Sequence, residues 1–292
     1  YNSAMDKLYI LPFDHRNYFI KSFGLQTPLS GPDRQTVMDA KRVIYEGLLS
    51  AIDGGLRRED TALLVDEEFG QEILKDALAA HIRRILTVEK SGQEEFQFEY
   101  GDDFGSHVEA VNPDFVKVLV RYNPEGDKQA NTRQRDRLKV LSAFCNEHGY
   151  QFLFELLVPP LTKDDPLFDG EPRAALTGVA VRELARDGVL PDVWKLEGFD
   201  EEAHLARVME NVKEETPEAT VVILGRGEDG EKVEQWLRVG ASFREVGGFA
   251  VGRTIFSEPI AAWHKGTLTR EAAAHDIAKR FIHFTSVFES AR

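Results

Sequence analysis

Cysteine is almost missing from this sequence: Cys145 is the only one in 292 residues, which excludes an internal disulfide framework and a cysteine-rich metal site. It falls in a helix-like stretch, FCNEHG, where a small core side chain is expected. Long apolar runs are missing as well. Nothing approaches the roughly 18 residues that a membrane span requires, and no signal-peptide pattern opens the chain, so a cytoplasmic protein with no membrane partner is expected. Positive charge is scarce, with 36 Lys and Arg against 50 Asp and Glu for a formal charge of −14. That balance argues against a nucleic-acid or anionic-membrane surface. No repeat, low-complexity tract or Ser/Gly/Pro-rich linker divides the sequence, which favours one domain. Residues 1–4, YNSA, read as the remnant of an expression tag, which leaves 5–292 as that domain.

What is present is an alternation of short apolar strands with amphipathic helices. Strands are expected at 8–15, 61–70, 84–92, 115–124, 150–160, 191–199, 219–227 and 244–256. Asp33 is expected to cap the first long helix, which reaches to about Gly54. The polar and aromatic stretch 93–107, with Phe96, Phe98, Tyr100 and Phe104, is expected to be an ordered lid or a wall of the active site. Eight strands, no antiparallel hairpin signal and a length near the roughly 250 residues of an eight-fold barrel select an α/β fold, a closed (β/α)8 TIM barrel. A doubly wound open sheet is the alternative. Its G-x-G-x-x-G turn is missing after the first strand, and the near match GRGEDG comes only after the seventh.

The sixth strand, PDVWKLEGF, carries a lysine where a buried strand is expected. Side chains alternate along a strand, so Val193, Lys195 and Glu197 share one face, and Trp194 and Leu196 the other. An isolated buried ammonium costs several kcal/mol, so such a lysine is paired, neutralised or chemically used; a shorter strand that leaves Lys195 solvated is the plain alternative. The same parity turns Lys117 of the fourth strand and Glu155 of the fifth inward. An ion pair plugging the barrel would account for any one of them, but three inward charges on neighbouring strands point to a site. Two lysines near a glutamate suit amine catalysis, because the second cation and burial both favour a neutral Lys195 able to attack a ketone. Glu155 could then move protons during carbinolamine dehydration and at the departing hydroxyl.

Active sites of barrels lie at the C-terminal ends of the strands, with phosphate often bound after strands seven and eight. Gly225 and Arg226 in the seventh loop, and Gly252 and Arg253 in the eighth, supply close backbone approach and positive charge. Metal chemistry fits less well. Only His15 and His107 of the eight histidines are placed for it. Asp66, Glu67 and Glu89 could hold Mg²⁺, although pairing with Lys90 or Arg16 is the commoner arrangement. No cofactor and no metal is expected.

The motifs FDHR, LLVDEEFG, EKSG, VKVLVRYNPEGD, FELL, DVWKLE and GFAVGRTIF resemble class I (Schiff-base) aldolases of the tagatose-bisphosphate type. The stretches EKSGQEEFQFEYGDDFGSH and RYNPEGD are closer still to the aldolase-like domain fused to 5-dehydro-2-deoxygluconokinase in bacterial inositol breakdown. The resemblance runs through essentially all of 5–292. It implies that Lys195 is the Schiff-base lysine, Glu155 the proton-transfer glutamate, Lys117 its neighbour, Asp14 the acid ending the first strand, and Gly252 with Arg253 the phosphate turn. The implied reaction is retro-aldol cleavage of 2-deoxy-5-keto-gluconate 6-phosphate to dihydroxyacetone phosphate and malonate semialdehyde, with Arg16 or Arg121 receiving the substrate carboxylate. The sequence departs from the family in carrying no kinase segment and in having GRG where the tagatose type has a SAG-like motif. The alternatives are an aldolase for another ketose phosphate such as tagatose bisphosphate, and a non-catalytic sugar-phosphate-binding accessory of a carbohydrate kinase. A homo-oligomer is compatible with either.

Overall fold

The computed structural model describes residues 7–162, 165 and 167–292; the expected tag remnant at 1–4 lies outside the described residues. Eight parallel strands, β1 (Leu8–Pro12), β2 (Thr61–Val65), β3 (Arg83–Thr87), β4 (Phe115–Arg121), β5 (Gln151–Leu157), β6 (Val193–Glu197), β7 (Thr220–Leu224) and β8 (Val246–Ala250), pair in chain order. β8 returns to pair with β1 and closes the ring. This is the expected single-domain TIM barrel. Around it run α1 (Arg16–Ser22), α2 (Gly31–Asp53), α3 (Glu67–Ala79), α4 (Phe104–Val111), α5 (Lys128–His148), α6 (Glu171–Arg186), α7 (Glu202–Glu215), α8 (Gly230–Ala241), α9 (Arg253–His264) and α10 (Arg270–Ser290).

Strand parity sorts the core into two parts. Inward side chains such as Ile10, Leu64, Ile85, Phe115, Leu153, Val193 and Val222 fill the lower barrel. Their outward neighbours, Val116, Val118, Val120, Phe152, Phe154, Trp194 and Leu196, pack in the shell shared with the helices. Closure depends on a missing side chain. A Cβ on Gly248 would lie 2.1 Å from the Leu8 carbonyl oxygen, so only glycine lets β8 approach β1 there.

The strands are shorter than their sequence signals. Asp66 leaves β2 to cap α3, accepting the Phe69 N–H at 2.9 Å, and Arg253 starts α9 instead of continuing β8. The cap of α2 is Ser30, whose hydroxyl accepts the N–H of Asp33, so Asp33 lies inside the helix it was expected to cap. The stretch 93–107 is ordered but is neither a free lid nor a wall of the cavity described below. It folds back through a bridge between Glu89 and Phe98, then enters a 3₁₀ turn and α4. Gln134 of α5 accepts the Phe96 N–H at 2.8 Å, and Phe98 stacks on Phe104 at 4.1 Å.

Asp66, expected to hold Mg²⁺ or to pair with Lys90 or Arg16, is paired instead with Lys41 of α2. Both side chains are fully buried, and the Lys41 amine also donates to the Phe13 carbonyl at 2.7 Å. The pair ties α2 to the ends of β1 and β2, the floor under the first loop of the site. Removing one member strands the other charge out of water, so Lys41→Met is expected to cost about 3–5 kcal/mol. Urea denaturation measures this, and a loss under about 1 kcal/mol would show that the pair behaves as a solvated one.

Candidate active site

The C-terminal mouth of the barrel opens into a cavity of about 440 Å³. Lys195 and Glu155 lie at its floor, and Arg226, Gly252 and Arg253 on its rim. The floor is a network of charges carried by β4, β5 and β6 and by the loops after β1 and β3. Register places Glu155 directly beside Lys195 and beside Leu119, one inward position above Lys117. The Glu155 Oε2 atom lies 2.8 Å from the Lys195 amine and 3.1 Å from the Lys117 amine. Lys117 reaches on to Asp14 at 2.8 Å and Glu89 at 2.6 Å, while Thr87 donates to the other Glu89 oxygen. Lys117 is 1% exposed and Lys195 3%.

Burial pushes the Lys117 amine down, but Asp14, Glu89 and Glu155 outweigh it and hold the group well above the ordinary lysine range. Burial likewise pushes Asp14 and Glu155 up. Lys117 overcomes it at Asp14, and Lys195 with Lys117 overcomes it at Glu155, so both carboxyls sit below their usual values. The electrostatics differ from the sequence-based expectation in one respect. Lys117 brings no net positive field to Lys195, because three carboxylates already surround it. Glu155, shared between the two amines, is the nearest acceptor for a proton leaving Lys195, and Asp14 and Glu89 keep Lys117 paired when Glu155 takes it up.

The rim is built from the two glycine-rich loops. Arg226 adopts φ +52° between Gly225 and Gly227, a left-handed conformation uncommon for a residue with a side chain. Arg253 donates to the Arg226 carbonyl and so bolts the eighth loop to the seventh. Gly252 precedes α9, whose first turn has no side-chain cap and opens on the cavity. The uncapped helix start and two guanidiniums thus lie together on one rim, the kinds of group that attract anions. Arg226 is not idle. Its Nη1 meets Asp169 at 2.8 Å and its Nε lies 3.5 Å from Glu197.

The other expected positions divide. Arg121 lines the cavity and donates to the Gln93 carbonyl at 3.0 Å. Arg16, expected to meet a substrate carboxylate, is committed elsewhere: it is buried, donates to Glu99 and to the Glu89 carbonyl at 2.5 Å each, and does not line the cavity. The carboxylates considered for Mg²⁺ are likewise occupied, Asp66 by Lys41, Glu67 by His107 and Glu89 by Lys117. Among the described residues no group of three His, Cys, Asp or Glu side chains is gathered as a metal site.

Several residues of the site went unassigned from sequence. Glu89, in the network beneath the cavity, continues the inward parity of Ile85 and Thr87 and was readable from it. Glu197 shares the Lys195 face, and burial pushes its carboxyl up. Arg173 of α6 donates to the Gly198 carbonyl at 2.8 Å and packs 4.1 Å over Phe199. No sequence pattern marks a helical arginine of this kind. His15 also faces the cavity.

Residues 1–292 match the profile of the family described as "Uncharacterized protein conserved in bacteria (DUF2090)". The chain belongs to the DUF2090 family. Curated protein sequences return no match to this DUF2090 chain. Solved structures show its fold in other proteins. A Corynebacterium glutamicum protein is 19% identical, covering 95% of this chain and 86% of its own, with a TM-score of 0.58. A Schiff-base-forming fructose-1,6-bisphosphate aldolase is 13% identical, covering 95% of each chain at a TM-score of 0.56. Fructose-bisphosphate aldolase from Slackia heliotrinireducens is 12% identical, covering 98% of this chain and 86% of its own at 0.59. At these identities the likeness is one of barrel architecture.

The charge network makes a prediction about pH. Depressed carboxyls at Asp14 and Glu155 contribute stability that is complete above their unfolded values, about 3.9 and 4.3, and is lost as pH falls below them. Lys117→Met leaves Asp14 buried without its nearest cation, which raises its folded value above the unfolded one. Its stability is therefore expected to rise as pH falls from about 8 to about 5. The native protein gains none over that range. His15 in it is pushed down to about 4 by burial, while the unfolded chain protonates it from the ordinary 6.5, which opposes folding in acid. Urea midpoints against pH measure the contrast, and a variant whose midpoint ignores pH would mean the carboxylates are hydrated.

Proposed function

We propose that this DUF2090 chain is a class I aldolase, an aldehyde-lyase that cleaves a phosphorylated keto-sugar acid through a Schiff base on Lys195. The observation that carries the reading is the Lys195 amine, almost fully buried on the floor of the cavity with Glu155 Oε2 at 2.8 Å. A binding protein has no need of such an amine, since apolar residues would stabilise the barrel as well. The use of the same barrel by a protein described as a Schiff-base-forming aldolase supports the assignment.

In this reading the substrate phosphate docks on the rim formed by Gly225, Arg226, Gly252, Arg253 and the start of α9. That brings a ketone one or two bonds away over Lys195. Glu155 accepts a proton from the lysine, and the neutral amine adds to the carbonyl carbon. Glu155 then returns a proton to the hydroxyl that departs as water, leaving an iminium. The carbon–carbon bond beyond the next carbon breaks, its electron pair flowing to nitrogen as an enamine while an aldehyde leaves. Protonation of the enamine and hydrolysis free the second product and restore Lys195. Asp14 and Glu89 act through Lys117, keeping its charge fixed while Glu155 cycles.

The motif resemblance points to 2-deoxy-5-keto-gluconate 6-phosphate as substrate, giving dihydroxyacetone phosphate and malonate semialdehyde. With Arg16 committed to Glu99, Arg121 at the cavity edge is the cation for the carboxylate. Borohydride added with dihydroxyacetone phosphate is expected to leave a reduced three-carbon phosphate adduct on Lys195, found by peptide mass mapping, and none on Lys195→Met. An unmodified Lys195 would refute the Schiff base. A panel including tagatose bisphosphate then ranks the substrates by kcat/KM.

A further inference from the structure

Four charged side chains in the cavity wall, Asp169, Arg173, Glu197 and Arg226, are unequally satisfied. Asp169 takes the tight contacts, with Arg226 Nη1 at 2.8 Å and Arg173 Nε at 3.0 Å on the same Oδ1 atom. Glu197 takes the loose ones. Arg226 Nε lies 3.5 Å from its Oε1 and Arg173 Nη1 lies 3.9 Å from its Oε2, and neither approach makes a hydrogen bond. Glu197 balances the charge of the four, but a carboxylate placed for pairing alone would close on its partners as Asp169 does.

Glu197 follows Lys195 by two residues on the inward face of β6, which sets it about 6.5 Å further along the strand, toward the mouth. Its Oε2 accepts the Val158 N–H at 3.1 Å, which fixes the carboxylate. Its Oε1 accepts no hydrogen bond among the described residues, yet it is not sealed from solvent. This leaves an unfilled acceptor on a side chain that lines the cavity. What it can take is narrow. A phosphate or carboxylate oxygen is repelled by the carboxylate, and a cation by the two guanidiniums beside it. A neutral hydroxyl fits, since it donates one hydrogen bond and adds no charge to four that already balance. With the ketone carbon held at the Lys195 amine, a hydroxyl on the neighbouring carbon, together with its hydrogen bond, spans a distance comparable with the step from Lys195 to Glu197.

We propose that Glu197 is a specificity-determining residue whose Oε1 atom accepts a hydrogen bond from the hydroxyl on the carbon next to the substrate ketone. The assignment rests on the Schiff-base reading of Lys195 and adds to it the class of ketone selected, a hydroxylated ketone in preference to a methyl ketone. A ligand without that hydroxyl covers Oε1 and offers it no donor. The penalty for leaving a charged acceptor unpaired away from water sets the preference. Dihydroxyacetone phosphate, 2-deoxy-5-keto-gluconate 6-phosphate and tagatose bisphosphate all carry the hydroxyl.

Dihydroxyacetone phosphate and hydroxyacetone phosphate share the ketone and the phosphate and differ only in this hydroxyl. With each at the same subsaturating concentration, the rate at which borohydride fixes an adduct on Lys195 gives a ratio for the two ketones. Comparing the ratio of the wild-type protein with that of a Glu197 variant cancels their intrinsic reactivities. The ratio is expected to fall about 10- to 100-fold in Glu197→Ala, the loss of one hydrogen bond to a charged acceptor. Glu197→Gln keeps an oxygen for the Val158 N–H, so it stands in where the alanine variant fails to fold. Its ratio is expected to fall about 10-fold, because a neutral amide is the weaker acceptor. An unchanged ratio, whether trapping keeps its wild-type rate or slows equally with both ketones, overturns the role of Glu197 and leaves the Schiff base standing. Wild-type protein that traps neither ketone removes the Schiff base and this proposal together.

Discussion

The upper barrel is organised by one ammonium group in contact with three carboxylates. Lys117 sits at the centre of the ring, and Asp14, Glu89 and Glu155 reach it from β5 and from the loops after β1 and β3. Each of these groups would be costly to bury alone, and removing any of them leaves charge uncompensated. Together they are self-consistent, with two carboxylates more than one amine neutralises. That surplus is what allows Glu155 to be shared with Lys195, so the electrostatic frame of the floor and the reactivity proposed for it have a common source.

The closed strand order places these residues with little freedom. Inward positions recur every second residue, and the parallel register sets Glu155 beside Lys195 without any loop having to hold them. Tight strand approach at Gly248 and the bolt from Arg253 to the Arg226 carbonyl complete the ring where the rim is formed. A site mounted on strands is more rigid than one assembled from loops. The long stretch after β3 reinforces this, since Arg16 clamps it through Glu99 and α5 holds it through Gln134.

The fold and the inward lysines were legible in the sequence because both follow from period-two alternation in β-branched and aromatic runs. Strand ends were less so. Asp66 and Arg253 look like strand continuations until helix capping claims them, and capping depends on backbone direction that composition does not encode. Ion-pair partners were hardest to read. Arg16 stands next to strand-end acids in the sequence yet pairs across a fold-back to Glu99, and Lys41 reaches Asp66 from a helix that carried no signal of it. Arg173 comes to the cavity from α6, on a helix face with no pattern to announce it. Periodicity predicts which way a side chain points, and only tertiary contact decides what it meets.

Arg226 is already paired with Asp169 and lies 3.5 Å from Glu197 before any ligand arrives. An anion entering this rim must break those contacts and compete with two negative charges, so a bare inorganic ion gains little by docking. A molecule that also presses atoms onto the apolar and charged floor can offset that cost with contacts elsewhere. Under the proposed function these carboxylates are a filter that admits phosphate only as the handle of something larger.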